Sequence, residues 1–154
     1  DTAGTSRTLN AISATGSPVH KAGKPFSLIA TAYNAAGTVT AGYTGTPGIS
    51  LSSCLLPSSG CVAGTLSAGT FTGSSGTLAS STASYSEVGA ITATLSDAGF
   101  AAVDAADGST LTERTVSSAA FNIGRFVPDH YDVLSIQTPI WQTFGSTCAS
   151  RSFT

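Results

Sequence analysis

Short segments in which apolar and polar residues alternate constrain the fold of this chain most strongly. In residues 91–96, "ITATLS", apolar residues stand at the odd positions and hydroxyl residues at the even ones, and residues 26–33, "FSLIATAY", alternate in a similar way. A period of two is typical of a β-strand with one face buried. We therefore expect one set of side chains in the core: Phe26, Leu28, Ile91, Ala93, Leu95, Phe121 and Ile123. Their polar neighbours Thr92, Thr94 and Ser96 are expected to be exposed.

Turn-forming residues separate these segments at regular intervals. They include "NAAG" at 34–37, "TGTPG" at 44–48, "SSG" at 74–76 and "DAADG" at 104–108. Helical periodicity is almost absent, because the Ala-rich stretch 97–109 is broken by Gly99 and Gly108. The pattern predicts an all-β fold, an immunoglobulin-like β-sandwich of about seven to eight antiparallel strands.

One segment sharpens that expectation. "ASYSEVGAITATLSD" places a Tyr, an acidic residue and a Gly ahead of an alternating strand. It resembles the late strand of many bacterial immunoglobulin-like domains. We expect the ring of Tyr85 to pack at a corner of the sheet, with its hydroxyl reaching the backbone.

Composition excludes some classes of function. The chain has 154 residues, of which 9% are charged, and a net charge of −2. Its six basic residues are dispersed, whereas nucleic-acid binding requires clustered Lys and Arg. No apolar run approaches the roughly 18 residues of a membrane-spanning helix, so no such segment is expected.

Two of the three cysteines are close in sequence. Cys54 and Cys61 flank a segment that contains Pro57 and Gly60, both turn formers, and this predicts a local disulfide and a secreted protein. Structural zinc is a poor alternative, because it takes four ligands and no other Cys or His is near. Cys148 is left without a partner, and neither end of the sequence has a natural boundary. We therefore expect a piece of a longer polypeptide.

The last strand leads into a segment unlike the rest of the chain. "FNIGRFVPDHYDV", residues 121–133, combines aromatic, charged and Pro residues. We interpret it as a structural joint, in which Gly124 permits a bend and Pro128 ends the strand. Phe126 is expected to pack against the base of the sandwich, and Arg125 to reach Asp129, Asp132 or backbone carbonyls near the end of the domain.

These features predict two regions. Residues 1–127 form the immunoglobulin-like domain, and residues 128–154 form a linker and the start of a following, truncated module. The second region has too little apolar surface for a core of its own. It is expected to dock on the sandwich, to add as a strand to another chain or to stay mobile, and pairing with a neighbouring chain is favoured for "YDVLSI".

The same joint carries a resemblance to a known family. The pattern Gly-Arg-Phe-x-Pro-Asp-His is matched by Gly124, Arg125, Phe126, Pro128, Asp129 and His130, with Tyr131 where Phe is usual, and Cys148 and a final "SFT" follow. It resembles the MshQ-like family, large surface proteins associated with the mannose-sensitive haemagglutinin type IV pilus locus of Gram-negative bacteria. Residues 23–43 and 85–97 are similar to the preceding immunoglobulin-like region of those proteins, and the resemblance covers about residues 8–136.

The resemblance implies a non-enzymatic spacer or adhesion module of a secreted, pilus-associated protein at the surface of a Gram-negative bacterium. Its expected partners are other modules of the same polypeptide or pilus subunits. The alternative is a carbohydrate-binding adhesin module that takes a surface glycan. Exposed aromatic rings, with Tyr33, Tyr43 and Phe100 as candidates, would form its platform.

Catalysis is not expected. A hydrolase requires a nucleophile, a base and an orienting acid, and only His20 and His130 are available as imidazole bases. Asp129 and His130 are neighbours, so on an extended segment their side chains point apart. No Gly-x-Ser-x-Gly motif is present. An intramolecular isopeptide bond would need Lys24, Asn122 and Glu87 together, but Lys24 precedes Pro25 in an exposed position.

No cofactor is expected, and calcium is the alternative that the sequence leaves open. Asp97, Asp104 and Asp107 could supply the several oxygen ligands that this cation prefers. Their spacing does not follow the EF-hand pattern, and Asp-Gly is also ordinary turn chemistry.

Overall fold

The computed structural model describes residues 6–133, and within that range the fold is almost entirely β. Nine strands form two sheets that pack face to face as a β-sandwich. The strands are β1 His20–Lys21, β2 Phe26–Thr31, β3 Gly48–Leu56, β4 Leu66–Ser67, β5 Thr72–Ser74, β6 Thr77–Tyr85, β7 Gly89–Asp97, β8 Val116–Ser117 and β9 Phe121–Val127.

The first sheet has the order β1-β9-β7-β3, and β8 also pairs with β7. The second has the order β2-β6-β4, and β5 also pairs with β6. The prediction of about seven to eight antiparallel strands is wrong in two respects, since residues 6–133 contain nine strands and β1 runs parallel to β9. Three strands (β1, β4 and β8) are only two residues long, too short to leave a period in the sequence.

The centre of the sandwich is β7, which has β3 on one side and β9 and β8 on the other. Its residues Ile91, Ala93 and Leu95 are buried, as the alternation predicts, and so is Ile123 in β9. The core cluster joins three of these buried positions to an aromatic pair, and its members are Ile91, Ala93, Ile123, Tyr85 and Phe126.

Three predicted core residues are only half-buried, Phe26, Leu28 and Phe121. The first two lie in β2, whose outer side has no neighbouring strand among the described residues, and Phe121 begins β9 nearby. The prediction of full burial is wrong here because it assumes that every strand has neighbours on both sides.

The polar face of β7 is also more covered than expected. Ser96 is exposed as predicted, but Thr92 and Thr94 are half-buried. Thr92 Oγ1 donates to Asn122 Oδ1 of β9 at 3.1 Å, and the Thr94 hydroxyl lies 2.9 Å from that of Ser50 in β3. Side chains from the two flanking strands therefore shield the outer face of the central one.

Tyr85 stands where β6 turns into β7, and its ring is fully buried. The backbone N–H of Gly64 donates to the Tyr85 hydroxyl at 3.2 Å. This confirms the prediction of a buried corner ring whose hydroxyl reaches the backbone.

The predicted disulfide is present. Cys54, in β3, is bonded to Cys61, and their Cα atoms are 6.3 Å apart. The bond closes the loop that leads from β3 towards β4. Cys148 lies outside the described residues.

The connection from β7 to β8 is the only helical part of residues 6–133. A 3₁₀ helix, Ala102–Asp107, ends at Gly108 in the left-handed conformation. The short helix α1, Leu111–Arg114, begins with a capping box between Thr110 and Glu113. Neither helix has a buried residue, so this connection adds little to the core.

Candidate functional site

The end of β9 and the residues after it form the candidate site, and Phe126 is its buried part. The side chain of Phe126 is 1% exposed. Its ring centroid lies 5.2 Å from that of Tyr85, 5.8 Å from that of Phe26 and 6.2 Å from that of His20. The strand that leads to the joint is thus held by an aromatic cluster built from both sheets.

Gly124 allows β9 to approach β7 closely. Its φ is +150°, and a Cβ placed on it would lie 2.7 Å from the Cβ of Ala90. Only glycine fits such a contact without displacing backbone. The register between β7 and β9 shifts between Gly89 and Ala90, opposite this position.

Lys21 secures the chain after the strand ends. Because β1 pairs in parallel with the end of β9, Lys21 stands opposite Val127. Its Nζ donates to the backbone oxygens of Pro128 and Asp129, each at 2.9 Å. A cation that holds two successive carbonyls fixes the direction in which the chain leaves the sandwich.

His20, the neighbour of Lys21, has a structural environment. Its Nε2 donates to the backbone oxygen of Pro25 at 3.0 Å, with a longer contact to that of Lys24 at 3.3 Å. The ring stands edge-on to Phe26. It connects the β1–β2 turn to the aromatic cluster.

Asp129 lies among three cationic or ionisable groups. Its Oδ2 is 3.1 Å from His130 Nδ1 and 3.8 Å from Lys24 Nζ, and Lys21 binds its backbone oxygen. The hydrogen bond from His130 holds the pKa of Asp129 below its usual value, and the charge of Lys24 adds to the effect. His130 also approaches Asp132, whose Oδ2 lies 3.8 Å from its Nε2.

Two expectations about this segment are wrong. No hydrogen bond or ion pair within residues 6–133 joins Arg125 to Asp129, Asp132 or a backbone carbonyl, and its Nε is buried without a hydrogen-bond partner there. Arg125 belongs to β9, whereas the residues after Pro128 lie against the β1–β2 turn, where the lysines are nearer. The side chains of Asp129 and His130 do not point apart, because residues 128–133 are not in a strand.

The sequence contains no signal for the roles of Lys21 and Lys24. The contact of Lys21 depends on a parallel pairing between a two-residue strand and the end of a strand more than a hundred positions away. A strand of two residues is too short to leave a periodic pattern in the sequence.

The three aspartates suggested for calcium do not converge. Asp97 is buried, whereas Asp104 and Asp107 are exposed in the 3₁₀ helix. Within the part of the chain that is described, no group of three His, Cys, Asp or Glu residues is placed to hold a metal ion. Both carboxylate oxygens of Asp97 already accept hydrogen bonds, from the Tyr43 hydroxyl and from the N–H groups of Thr46, Gly99 and Phe100.

The suggested aromatic platform is not flat. Tyr33 is 62% exposed and Phe100 is 50% exposed, but Tyr43 is buried. The ring centroids of Tyr43 and Phe100 are 4.9 Å apart and the rings are inclined by 54°. These three side chains do not lie coplanar on one open face.

The residues weighed for an isopeptide bond have other partners. Lys24 faces Asp129, the Asn122 side chain accepts from Thr92, and Glu87 accepts from the N–H of Val88.

The comparisons with known proteins add no relative. The chain matches no protein-family model, no curated protein and no solved structure. Across residues 6–133, neither helix has the length or the apolar character to cross a membrane.

Proposed function

We propose that this chain is a structural module that holds the following part of its polypeptide at a defined angle. The observation that carries the proposal is the pair of hydrogen bonds from Lys21 to the carbonyls of Pro128 and Asp129. The two carbonyls follow Phe126, whose ring is buried, by two and three residues. The chain is therefore held both within the sandwich and just outside it.

The non-enzymatic part of the proposal is supported by the surroundings of His130. Its side chain is 68% exposed, and Asp129 and Asp132 are its partners. No hydroxyl or thiol of residues 6–133 hydrogen-bonds to it, so this part of the chain offers it no nucleophile to activate. An exposed His between two carboxylates suits an arrangement that orders a turn.

We further propose that the sandwich is immunoglobulin-like. Three features support this topology: the division into sheets β1-β9-β7-β3 and β2-β6-β4, the parallel pairing of β1 with β9, and the Tyr85 hydroxyl bonded to backbone at the corner between β6 and β7.

The resemblance of the Gly124–His130 segment to the MshQ-like family supports a place in a secreted, pilus-associated surface protein of a Gram-negative bacterium. The Cys54–Cys61 disulfide supports an extracellular location, because such bonds persist in oxidising compartments. Other modules of the polypeptide or pilus subunits are the proposed partners. The glycan-binding alternative has less support, since Tyr43 is buried and its ring is tilted against Phe100.

The test is the order of the exit segment in solution. Backbone order parameters of residues 128–131 are measured by NMR relaxation in the wild type, in Lys21→Met and in the control Arg114→Met. Arg114 donates to the Ser109 carbonyl, away from the joint. We expect backbone order parameters of about 0.85 in the wild type and in the control. In Lys21→Met they should fall towards about 0.6.

An exit that is equally ordered without the Lys21 ammonium would contradict the proposal. So would an exit that is already mobile in the wild type. Unchanged amide shifts of Ile91 and Ile123 in each variant show that the sandwich itself is intact.

A further inference from the structure

The outer side of β2 has unpaired backbone groups. Leu28 to Thr31 pair with β6 in regular antiparallel register, and the N–H of Ala32 donates to the Gly76 carbonyl. Backbone groups alternate in direction along a strand, so those of Leu28 and Ala30 face β6, while those of Ile29 and Thr31 face away. No backbone bond to Ile29 or Thr31 on that side comes from residues 6–133.

A groove follows this open edge between the two sheets. One cavity of about 490 Å³ and another of about 640 Å³ share Leu28, Ile29 and Phe121 in their walls, so they lie next to each other along β2, and we refer to the two together as the groove. The half-buried side chains of Phe26, Leu28 and Phe121 line it. The sequence predicts that these three side chains lie in the core, and the packing within residues 6–133 leaves them partly exposed.

The regular part of this edge, Leu28 to Thr31, has none of the features that protect free strands from pairing. Natural edges have charged side chains, Pro or bulges. β2 has no charged residue and no Pro, and its single irregularity lies between Phe26 and Leu28, before the regular part. The edge is therefore suited to accept an added strand.

The joint brings the chain back to the beginning of this edge. Asp129 contacts Lys24, which directly precedes Pro25 and the first residue of β2. Residues 134–138, "LSIQT", then alternate in sequence, with apolar Leu134 and Ile136 separated by polar Ser135 and Gln137. Pro139 follows, and it has no N–H to continue a ladder.

The lengths also agree. At roughly 3.3 Å per residue, the five residues 134–138 span about 17 Å and the six residues of β2 about 20 Å. A chain that enters this edge from the Lys24 end, where Asp129 lies, runs in the same direction as β2 and is parallel to it.

We propose that residues 134–138 add to the open edge of β2 in the same molecule, parallel to it, with Leu134 and Ile136 in the groove. The segment is tethered a few residues from the acceptor, and such a tether gives it a high effective concentration. Pairing within the molecule is therefore favoured over pairing with a neighbour. The inference does not depend on the proposed spacer function, because it concerns only what completes the sandwich.

Residue-resolved hydrogen exchange on the intact chain tests the proposal. The amides of Ile29 and Thr31 should be protected in the wild type, as those of Leu28 and Ala30 are by β6. Ile136→Asp should accelerate exchange at Ile29 and Thr31 by about tenfold or more, because it places a charge in an apolar groove. The control Gln137→Asp, with the same charge one residue on, should change those rates by less than about threefold.

Leu28, Ala30 and Ile91 should keep their protection in both variants, which separates loss of the added strand from unfolding. The proposal would be overturned if the Ile29 and Thr31 amides of the wild type exchanged as fast as those of an unfolded chain. It would also be overturned if these amides were as well protected in Ile136→Asp as in the wild type. Protection that disappears on dilution, together with a dimer by light scattering, would assign the strand to a second copy and overturn pairing within the molecule.

Discussion

The hydroxyl of Tyr43 donates a 2.7 Å hydrogen bond to Oδ2 of Asp97, and the two residues are 54 positions apart. The Asp97 carboxylate also accepts from the N–H groups of Thr46, Gly99 and Phe100. One buried carboxylate thus ties the segment before β3 to the turn after β7. A residue suggested as a cation ligand is instead satisfied by the protein itself.

Removing the Tyr43 hydroxyl should destabilise the sandwich. A hydrogen bond to a charged group contributes about 1.5–3 kcal/mol, and Tyr43→Phe should lower the free energy of unfolding by that amount. The matched control is Tyr33→Phe, since the Tyr33 ring is 62% exposed and its change should stay within about 0.5 kcal/mol. Urea denaturation measures both. Equal midpoints for the two variants would show that the Tyr43–Asp97 bond does not stabilise the fold.

Asp97 and Tyr43 should make the free energy of unfolding depend on pH, Asp97 in the acidic range and Tyr43 in the alkaline range. Burial alone would raise the pKa of Asp97, but the hydrogen bonds from Tyr43 and from backbone N–H groups lower it overall. Its contribution is therefore present above the unfolded pKa of about 3.9 and is lost as pH falls through the folded pKa. Burial, followed by the bond to Asp97, raises the pKa of Tyr43. Its contribution is present below the unfolded pKa of about 10 and is lost as pH rises through the folded pKa.

Chemical denaturation of the wild type and of Asp97→Asn from the acidic range up to neutrality checks the acidic part, since the ordinary carboxyl pKa of about 3.9 lies within that range. The difference between the two proteins should shrink as pH falls, because the wild type alone loses the Asp97 contribution. The exposed carboxyls of Glu113 and Asp129 also have lowered pKa values, but they are common to both proteins. A difference that is constant with pH would show that Asp97 titrates normally.

Leu95→Ala tests the register of the central strand. Leu95 is 8% exposed, and truncating a buried Leu costs about 2–5 kcal/mol through lost burial and the cavity left behind. Leu95 also lines the wall of the groove beside β2, so a value near the lower end is expected. Ser96→Ala, one residue on and exposed, is the control and should change the denaturant midpoint little. If Ser96→Ala lowered the denaturant midpoint more than Leu95→Ala, Ser96 and not Leu95 would face the core, and the register assigned to β7 would be wrong.

Gly124→Ala should be more damaging than an ordinary glycine substitution. Gly108 has a φ of +80° with nothing within 4 Å of the position that a Cβ would take, so Gly108→Ala should cost only the left-handed conformation, about 1–2 kcal/mol. At Gly124 a Cβ meets both Cα and Cβ of Ala90, at 2.8 and 2.7 Å. Overpacking of that kind adds about 1–3 kcal/mol. Thermal unfolding measures the loss of stability in Gly124→Ala and in Gly108→Ala. Equal losses in the two variants would argue against a tight β7–β9 contact.

Local patterns in the sequence predict the features that depend on local rules. Alternation predicts the buried face of β7, the spacing of Cys54 and Cys61 predicts their bond, and the residues around Tyr85 predict the corner. Each of these follows from a few adjacent residues, or from two close ones.

The features that sequence reasoning missed depend on tertiary placement. Lys21 reaches the exit only because β1 is parallel to β9, and Tyr43 is buried where Asp97 lies opposite it. Alternation places Phe26 and Leu28 in the core because it identifies the inward face of a strand, but it contains no information on whether a further strand covers that face.

The parallel arrangement beside β9 determines how the module responds to tension. Ala11 N–H donates to the Gly124 carbonyl and Gly124 N–H to that of Leu9, so the segment before β1 also runs parallel to β9, as β1 itself does. A pull on that segment from its beginning and on β9 from its end acts along both strands in opposite directions. The bonds between them then carry the load together in shear instead of opening one after another. Because forced unfolding is governed by the unfolding rate, bonds that must break together should slow the unfolding of the sandwich under such a pull.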